Sequence, residues 1–174
     1  MRLIVRGLLC YAVIALVSAC ATSAPVAKTG EIPHGSEIVV ITLRDCTITG
    51  QEDCVGSGKQ AGEAFQEVFN QGGKFTSRLV DRPVGATENF SDQAAADFAR
   101  KNRYAYVING EVDDFYSVAA MTFRPDRAAV NVRIIRASDG QVMASYSAPG
   151  KAASNFATPK GMIKGIATYV RNSL

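Results

Sequence analysis

The chain has 174 residues, of which 47% are hydrophobic and 20% are charged, and its formal net charge at pH 7 is +3. The net charge is small, and the lysines and arginines do not form a basic run. The sequence therefore lacks the clustered positive charge that is typical of a nucleic-acid-binding surface. The length and the apolar content are sufficient for one domain with a single core.

The chain begins with the layout of a secretory signal. Arg2 and Arg6 supply positive charge, and residues 8–17 form an apolar run that is too short to span a bilayer comfortably. Residues 17–20, Val-Ser-Ala-Cys, resemble the lipobox of bacterial lipoproteins. The resemblance implies cleavage before Cys20 and attachment of lipid to it. An ordinary cleaved signal followed by an incidental cysteine is the alternative.

These observations divide the chain into three parts. Residues 1–19 are the predicted signal peptide, 20–35 a flexible tether that starts at the lipidated cysteine, and 36–174 one domain that faces the periplasm. Without the signal peptide, 17 basic residues stand against 16 acidic ones. In enterobacterial lipoprotein sorting, an Asp directly after the lipidated cysteine favours the inner membrane. This chain has Ala21 there, so resemblance to that rule implies the outer membrane.

Two of the four cysteines, Cys46 and Cys54, lie in the predicted domain. The oxidising compartment favours a disulfide between them, which would stabilise the fold by about 2–3 kcal/mol. Two unpaired thiols are the alternative, because sequence alone does not give the distance between the two residues.

The first half of the domain alternates between strand and helix patterns. Residues 37–43 form a β-branched apolar run typical of a strand covered on both faces. Ser57-Gly58-Lys59-Gln60 has the spacing of a capping box and predicts the start of a helix. A strand at 75–80 follows, and Ser91 is the predicted N-cap of a second helix.

The second half is richer in strands. A third strand is predicted at 104–112, and strands at 128–136 and 141–147 are joined by a turn at Ser138-Asp139-Gly140. Thr158-Pro159 is typical of a helix start. The predicted fold is α/β (α+β), a single domain with a mixed sheet of about five strands in the order β-α-β-α-β-β-β-α and helices packed on it.

The lipobox, the tether, the first strand and the late hairpin with its sequence Asp-Gly-Gln-Val-Met-Ala-Ser at 139–145 recur in small bacterial lipoproteins of unknown function. The layout is similar to that of the TolB N-terminal domain and of lipoproteins that serve curli secretion, polysaccharide export and penicillin-binding-protein activation. This resemblance covers roughly residues 36–174. It implies a non-enzymatic accessory or scaffold protein that binds other envelope proteins or copies of itself, and it supplies no catalytic residues.

The sequence offers little material for catalysis. His34 is the only histidine and lies in the predicted tether, so nucleophilic mechanisms that need an imidazole base have none in the domain. One histidine and two cysteines that are expected to be oxidised do not make a zinc site. We therefore expect no catalytic residues, no metal and no cofactor.

One acidic cluster supports an alternative function. Glu111, Asp113 and Asp114 follow one another near the end of a strand, and alternation would place the first two on one face. An envelope hydrolase or glycan-binding protein that uses Glu111 and Asp113 is the alternative to a scaffold. Solvated edge charge, or an ion pair with Arg124, Arg127 or Arg133, would also explain these residues.

A group of large apolar side chains lies between two predicted strands: Phe115, Tyr116, Met121 and Phe123. If exposed, such residues suit the centre of a protein-binding surface, and if buried they belong to the core. The sequence leaves both interpretations open.

Overall fold

A computed structural model describes residues 26–118, 126–149 and 157–174. Within these residues one mixed sheet of six strands carries three α-helices, which confirms the predicted fold class. The strands are β1 Ala27–Lys28, β2 Glu37–Ile41, β3 Thr76–Val80, β4 Tyr106–Tyr116, β5 Arg127–Arg136 and β6 Val142–Pro149. The helices are α1 Ser57–Phe69, α2 Asp92–Lys101 and α3 Pro159–Ser173.

The sheet has the strand order β1-β6-β5-β4-β2-β3. β2 lies between β3 and β4 and runs parallel to both, whereas the other neighbours are antiparallel. The predicted order of elements is confirmed, and β1 is the strand that the sequence did not predict. None of the helices in the described part of the chain has the length and apolar character needed to cross a bilayer.

Helices cover both faces of the sheet, which explains the continuous apolar run of β2. Ile38 and Val40 join the larger core, to which α1 and α3 contribute. Ile41 joins a smaller core beneath α2, whose contact residues are the alanines Ala95, Ala96 and Ala99. Small side chains on α2 let that helix pack close to the sheet.

Local sequence signals start two of the helices as predicted. The hydroxyl of Ser91 accepts a hydrogen bond from the amide of Ala94 at the start of α2. The hydroxyl of Thr158 accepts one from the amide of Gly161, and Pro159 occupies the first position of α3. Each bond satisfies one of the backbone amides that a helix start leaves without a partner.

The last part of the predicted tether belongs to the ordered domain. Ala27 and Lys28 pair with β6, and Ile32 is only 3% exposed. The Lys28 ammonium donates a hydrogen bond of 2.9 Å to the carbonyl of Leu174. The described part of the segment that the sequence assigned to the tether thus completes the sheet edge and covers the larger core.

Candidate functional site

The predicted disulfide between Cys46 and Cys54 is formed, with Cα atoms 4.9 Å apart. Both cysteines are buried in the larger core. The bond closes the loop that leads into α1, so it fixes the chain immediately before that helix begins.

The start of α1 differs from the predicted capping box. Gly56 is the N-cap residue, and it has the left-handed backbone angle φ 79° that favours glycine. Ser57 is the first helical residue, and its hydroxyl accepts from the amide of Cys46 rather than from its own helix. The capping-box prediction is wrong because the hydroxyl is used to hold the disulfide loop.

A carboxylate from outside the helix performs the capping instead. Asp45 is 7% exposed, and its two oxygens accept from the amides of Gly56 and Gly58 at 2.8 and 2.7 Å. A negative charge in this position is also favoured by the helix dipole. The backbone amides of Gly56 and Gly58 at the start of α1 are therefore already bonded to a carboxylate of the protein itself.

The acidic cluster at the end of β4 consists mainly of ion pairs. Glu111 pairs with Arg44, and it also accepts a hydrogen bond of 3.2 Å from the amide group of Asn131. Asp114 forms an ion pair of 3.0 Å with Arg127, which is one of the arginines that the sequence analysis named as a candidate partner. The charge of each carboxylate is thus balanced by an arginine. This weakens the hydrolase alternative, because Glu111 already makes a structural contact.

Asp113 is exposed and lies at a β-bulge, where the pairing of β4 with β5 skips from Val112 to Asp114. The extra residue interrupts the regular alternation from which the sequence placed Glu111 and Asp113 on one face, although the two carboxyl groups remain near each other. Partial burial of its carboxyl group and the nearby charge of Glu111 raise the pKa of Asp113. Within the described residues, no three acidic, histidine or cysteine side chains are placed to share a metal ion.

A polar network that the sequence did not predict lies beside α2. Arg133 on β5 pairs with Asp92 at 2.8 Å, and the amide group of Asn109 donates to the same carboxylate at 2.9 Å. Asp92 also lies in the first turn of α2, where a negative charge is favoured by the helix dipole. These residues are 17 and 41 positions apart from Asp92, so no local pattern could have joined them.

The proposed interface residues divide between different environments. Phe115 is 4% exposed and belongs to the larger core, so for this residue the core interpretation is correct. Tyr116 is partly exposed, and the guanidinium of Arg127 lies 5.1 Å from the centre of its ring. Met121 and Phe123 lie outside the described residues.

No protein-family model matches the chain, and no curated protein matches it. Among solved structures, the PelC dodecamer from Paraburkholderia phytofirmans superposes with a TM-score of 0.61 at 17% identity, covering 86% of this chain and 96% of that one. LpoB from Escherichia coli gives 0.48 at 15% identity, covering 76% and 73%. Lipoprotein GNA1162 from Neisseria meningitidis gives 0.47 at 13%, covering 79% and 96%.

The similarity to PelC extends over nearly the whole PelC chain, so the two share a complete fold rather than a fragment. At these identities the similarity establishes the fold and nothing more specific.

Proposed function

We propose that this protein is a non-enzymatic envelope lipoprotein, anchored to the outer membrane by lipid on Cys20, that works by associating with copies of itself. The lipobox supports the anchor. The ion-paired acidic cluster supports a role other than catalysis, because the carboxylates on which the hydrolase alternative depends are bound to arginines.

The observation that carries the proposal is the match to PelC. That protein forms a dodecamer, and its fold corresponds to 86% of the present chain. An oligomer of identical subunits closes into a ring when two different surfaces of neighbouring subunits meet head to tail. We infer the same kind of assembly here, without assigning its subunit number.

The free part of the β6 edge is a suitable surface for such a contact. β1 pairs only with Ala144 and Ser145, so the strand beyond Ser145 has β5 as its only described neighbour. Pro149 on β6 pairs with Ala129, which in turn pairs with Asp114 on β4. The open edge and Tyr116 therefore lie at the same end of the sheet.

The experiment is the native mass of the full lipidated protein, extracted from membranes in mild detergent and measured by light scattering with chromatography. We expect a whole multiple of the subunit mass, and we expect Tyr116→Asp to reduce it. Lys101→Asp is the control, because it places the same charge on an exposed residue at the end of α2, which lies next to the start of β4 rather than next to the end that carries Tyr116.

A monomeric wild-type protein, or equal masses for both variants and the wild type, would count against self-association through this surface. The anchor is tested separately with Cys20→Ser, which should move the protein from the membrane fraction to the soluble fraction. Retention of that variant in the membrane would show that another part of the chain holds it there.

A further inference from the structure

A cavity of about 460 Å³ lies between the end of α2, the turn that leads to β4 and the β5–β6 hairpin. Its size falls within the range of small-molecule sites. The lining concentrates two chemical types, guanidinium groups and phenol rings, and its principal residues are Arg100, Arg103, Tyr104, Tyr106, Arg136 and Ser138.

Two of the three arginines are held in place by carboxylates. Arg100 pairs with Asp97 on its own helix, and Arg136 pairs with Asp139 in the hairpin at 2.6 Å. The Arg136 hydrogen bond and the amide of Gln141 lower the pKa of Asp139 to about 2, so this pair stays charged at neutral pH. Since two of the three guanidinium groups that line the cavity are each paired with one carboxylate, one positive charge is left in excess.

The excess charge belongs to Arg103. Its side chain is exposed and makes no ion pair or hydrogen bond with any residue that the structure describes. Its backbone has φ 62°, in the left-handed region that glycine adopts at little cost. The amides of Arg103 and Tyr104 bond back to the carbonyls of Arg100 and Ala99, as at many glycine-terminated helix ends.

Arginine at this position carries a backbone cost of about 1 kcal/mol that glycine would avoid. Backbone outliers of this kind are found preferentially at functional sites. The side chain thus stands at a strained position on the rim of a cavity, where its charge has no partner among the described residues.

The tyrosines give the cavity its shape. Arg78 on β3 stacks on the ring of Tyr104 with its guanidinium 5.1 Å from the ring centre, which fixes that ring at the cavity wall. Tyr106 is the first residue of β4 and packs against the larger core, whereas Tyr104 packs against the smaller one, so the two rings border the cavity from different faces of the sheet. Fixed aromatic rings offer an apolar surface with a polar tip, and adjacent guanidinium groups can bind a carboxylate through two parallel hydrogen bonds.

We propose that this cavity binds an acidic sugar, with the carboxylate on Arg103 and the sugar between the parts of Tyr104 and Tyr106 that line the cavity. Arg100 and Arg136 frame the anion from both sides. The free rim charge selects an anion over a neutral sugar, and the phenol rings select a sugar over a simple anion.

The test is calorimetric titration of the full lipidated protein in mild detergent with glucuronate, glucose and inorganic phosphate. We expect glucuronate to bind, and we expect glucose and phosphate to bind at least tenfold more weakly. Arg103→Gly should weaken glucuronate binding at least tenfold while the melting temperature stays equal or rises, because glycine relieves the backbone strain.

Arg103→Asn provides a second variant that tolerates the left-handed backbone, and it should lose affinity to the same extent. Lys101→Ala is the matched control, since it removes a positive charge from the last turn of α2 without touching the cavity lining. Its affinity should remain within twofold of the wild type.

Absence of glucuronate binding would overturn the proposal, as would equal affinity for phosphate or for glucose. Unchanged affinity in both Arg103 variants would also overturn it. Self-association is measured independently by native mass, so failure of either proposal leaves the other standing.

Discussion

Asp45 stabilises a helix whose N-cap, Gly56, lies eleven residues further along the chain. Its burial excludes water from the two hydrogen bonds that it accepts, so loss of the carboxylate would leave two backbone amides without partners. Buried unsatisfied groups of this kind are costly. The close approach also requires Gly58, since a Cβ there would lie 2.0 Å from the carbonyl oxygen of Leu43.

We predict that Asp45→Ala lowers the free energy of unfolding by about 1–3 kcal/mol. Asp45→Asn should lose less, because one oxygen acceptor remains. Chemical unfolding monitored by circular dichroism gives both values. Asp81→Ala removes an exposed carboxylate and should change stability little; if it cost as much as Asp45→Ala, the capping role would be wrong.

Residue roles could be predicted only where the partners are close in sequence. Ser91 and Thr158 each bond to an amide three residues later, and both caps are visible as short motifs. Asp45 acts across a disulfide loop, and Asp92 serves residues of two different strands. The sequence does not distinguish Arg103 from other exposed arginines, because its left-handed backbone conformation arises only where α2 ends in the folded chain.

At the scale of elements, β4 and β5 form the longest pairing of the sheet, and Gly110 lies at its centre. A Cβ added to Gly110 would lie 2.2 Å from the carbonyl oxygen of Asn131 and 2.9 Å from the Cα of Val132. Both are backbone atoms that cannot rotate away. The two strands would have to shift to admit even a methyl group.

We predict that Gly110→Ala lowers the unfolding free energy by about 1–3 kcal/mol through overpacking. Gly165→Ala is the control with the same chemical change. Nothing lies within 4 Å of an added Cβ on this exposed helical glycine, so alanine should stabilise α3 by about 0.5–1 kcal/mol. Thermal unfolding should show opposite shifts, and a shift of the same sign in both would contradict this account.

The elements that could be predicted from the sequence are those with a long hydrophobic pattern or with a strong turn motif. The apolar run of β2 and the turn at Asp139-Gly140 both satisfy this condition. β1 contains only two residues, too few to carry a period, and it is ordered because β6 offers it an edge. The bulge at Asp113 shifts the alternation by one residue, and only the strand pairing reveals it.

At the scale of the whole molecule, an open sheet must protect its edges from unwanted pairing. β3 is an edge strand whose described neighbour is β2. The side chain of Asn70 donates to the carbonyl of Ser77 at 2.9 Å and accepts from its amide at 2.7 Å. The amide group thus makes the two bonds that a neighbouring strand would make.

We predict that Asn70→Ala increases aggregation at concentrations where the wild type stays soluble, because the backbone of Ser77 becomes available to other chains. Static light scattering during slow heating measures this directly. Asn102→Ala removes an exposed amide that bonds within the end of α2 and should leave scattering unchanged. Equal scattering from Asn70→Ala and the wild type would show that the β3 edge needs no such protection.

The pairing of β1 with β6 would also limit how far the domain could move from a lipid attached to Cys20. Val26, whose side chain packs against the core, lies six positions after Cys20. Fully extended, six residues span about 20 Å. A subunit lipidated at Cys20 would therefore diffuse in a thin layer above the bilayer, with its β6 edge held near the surface. Confinement to such a layer raises the effective concentration of neighbouring subunits, so a contact too weak to persist in free solution could still close an assembly on the membrane.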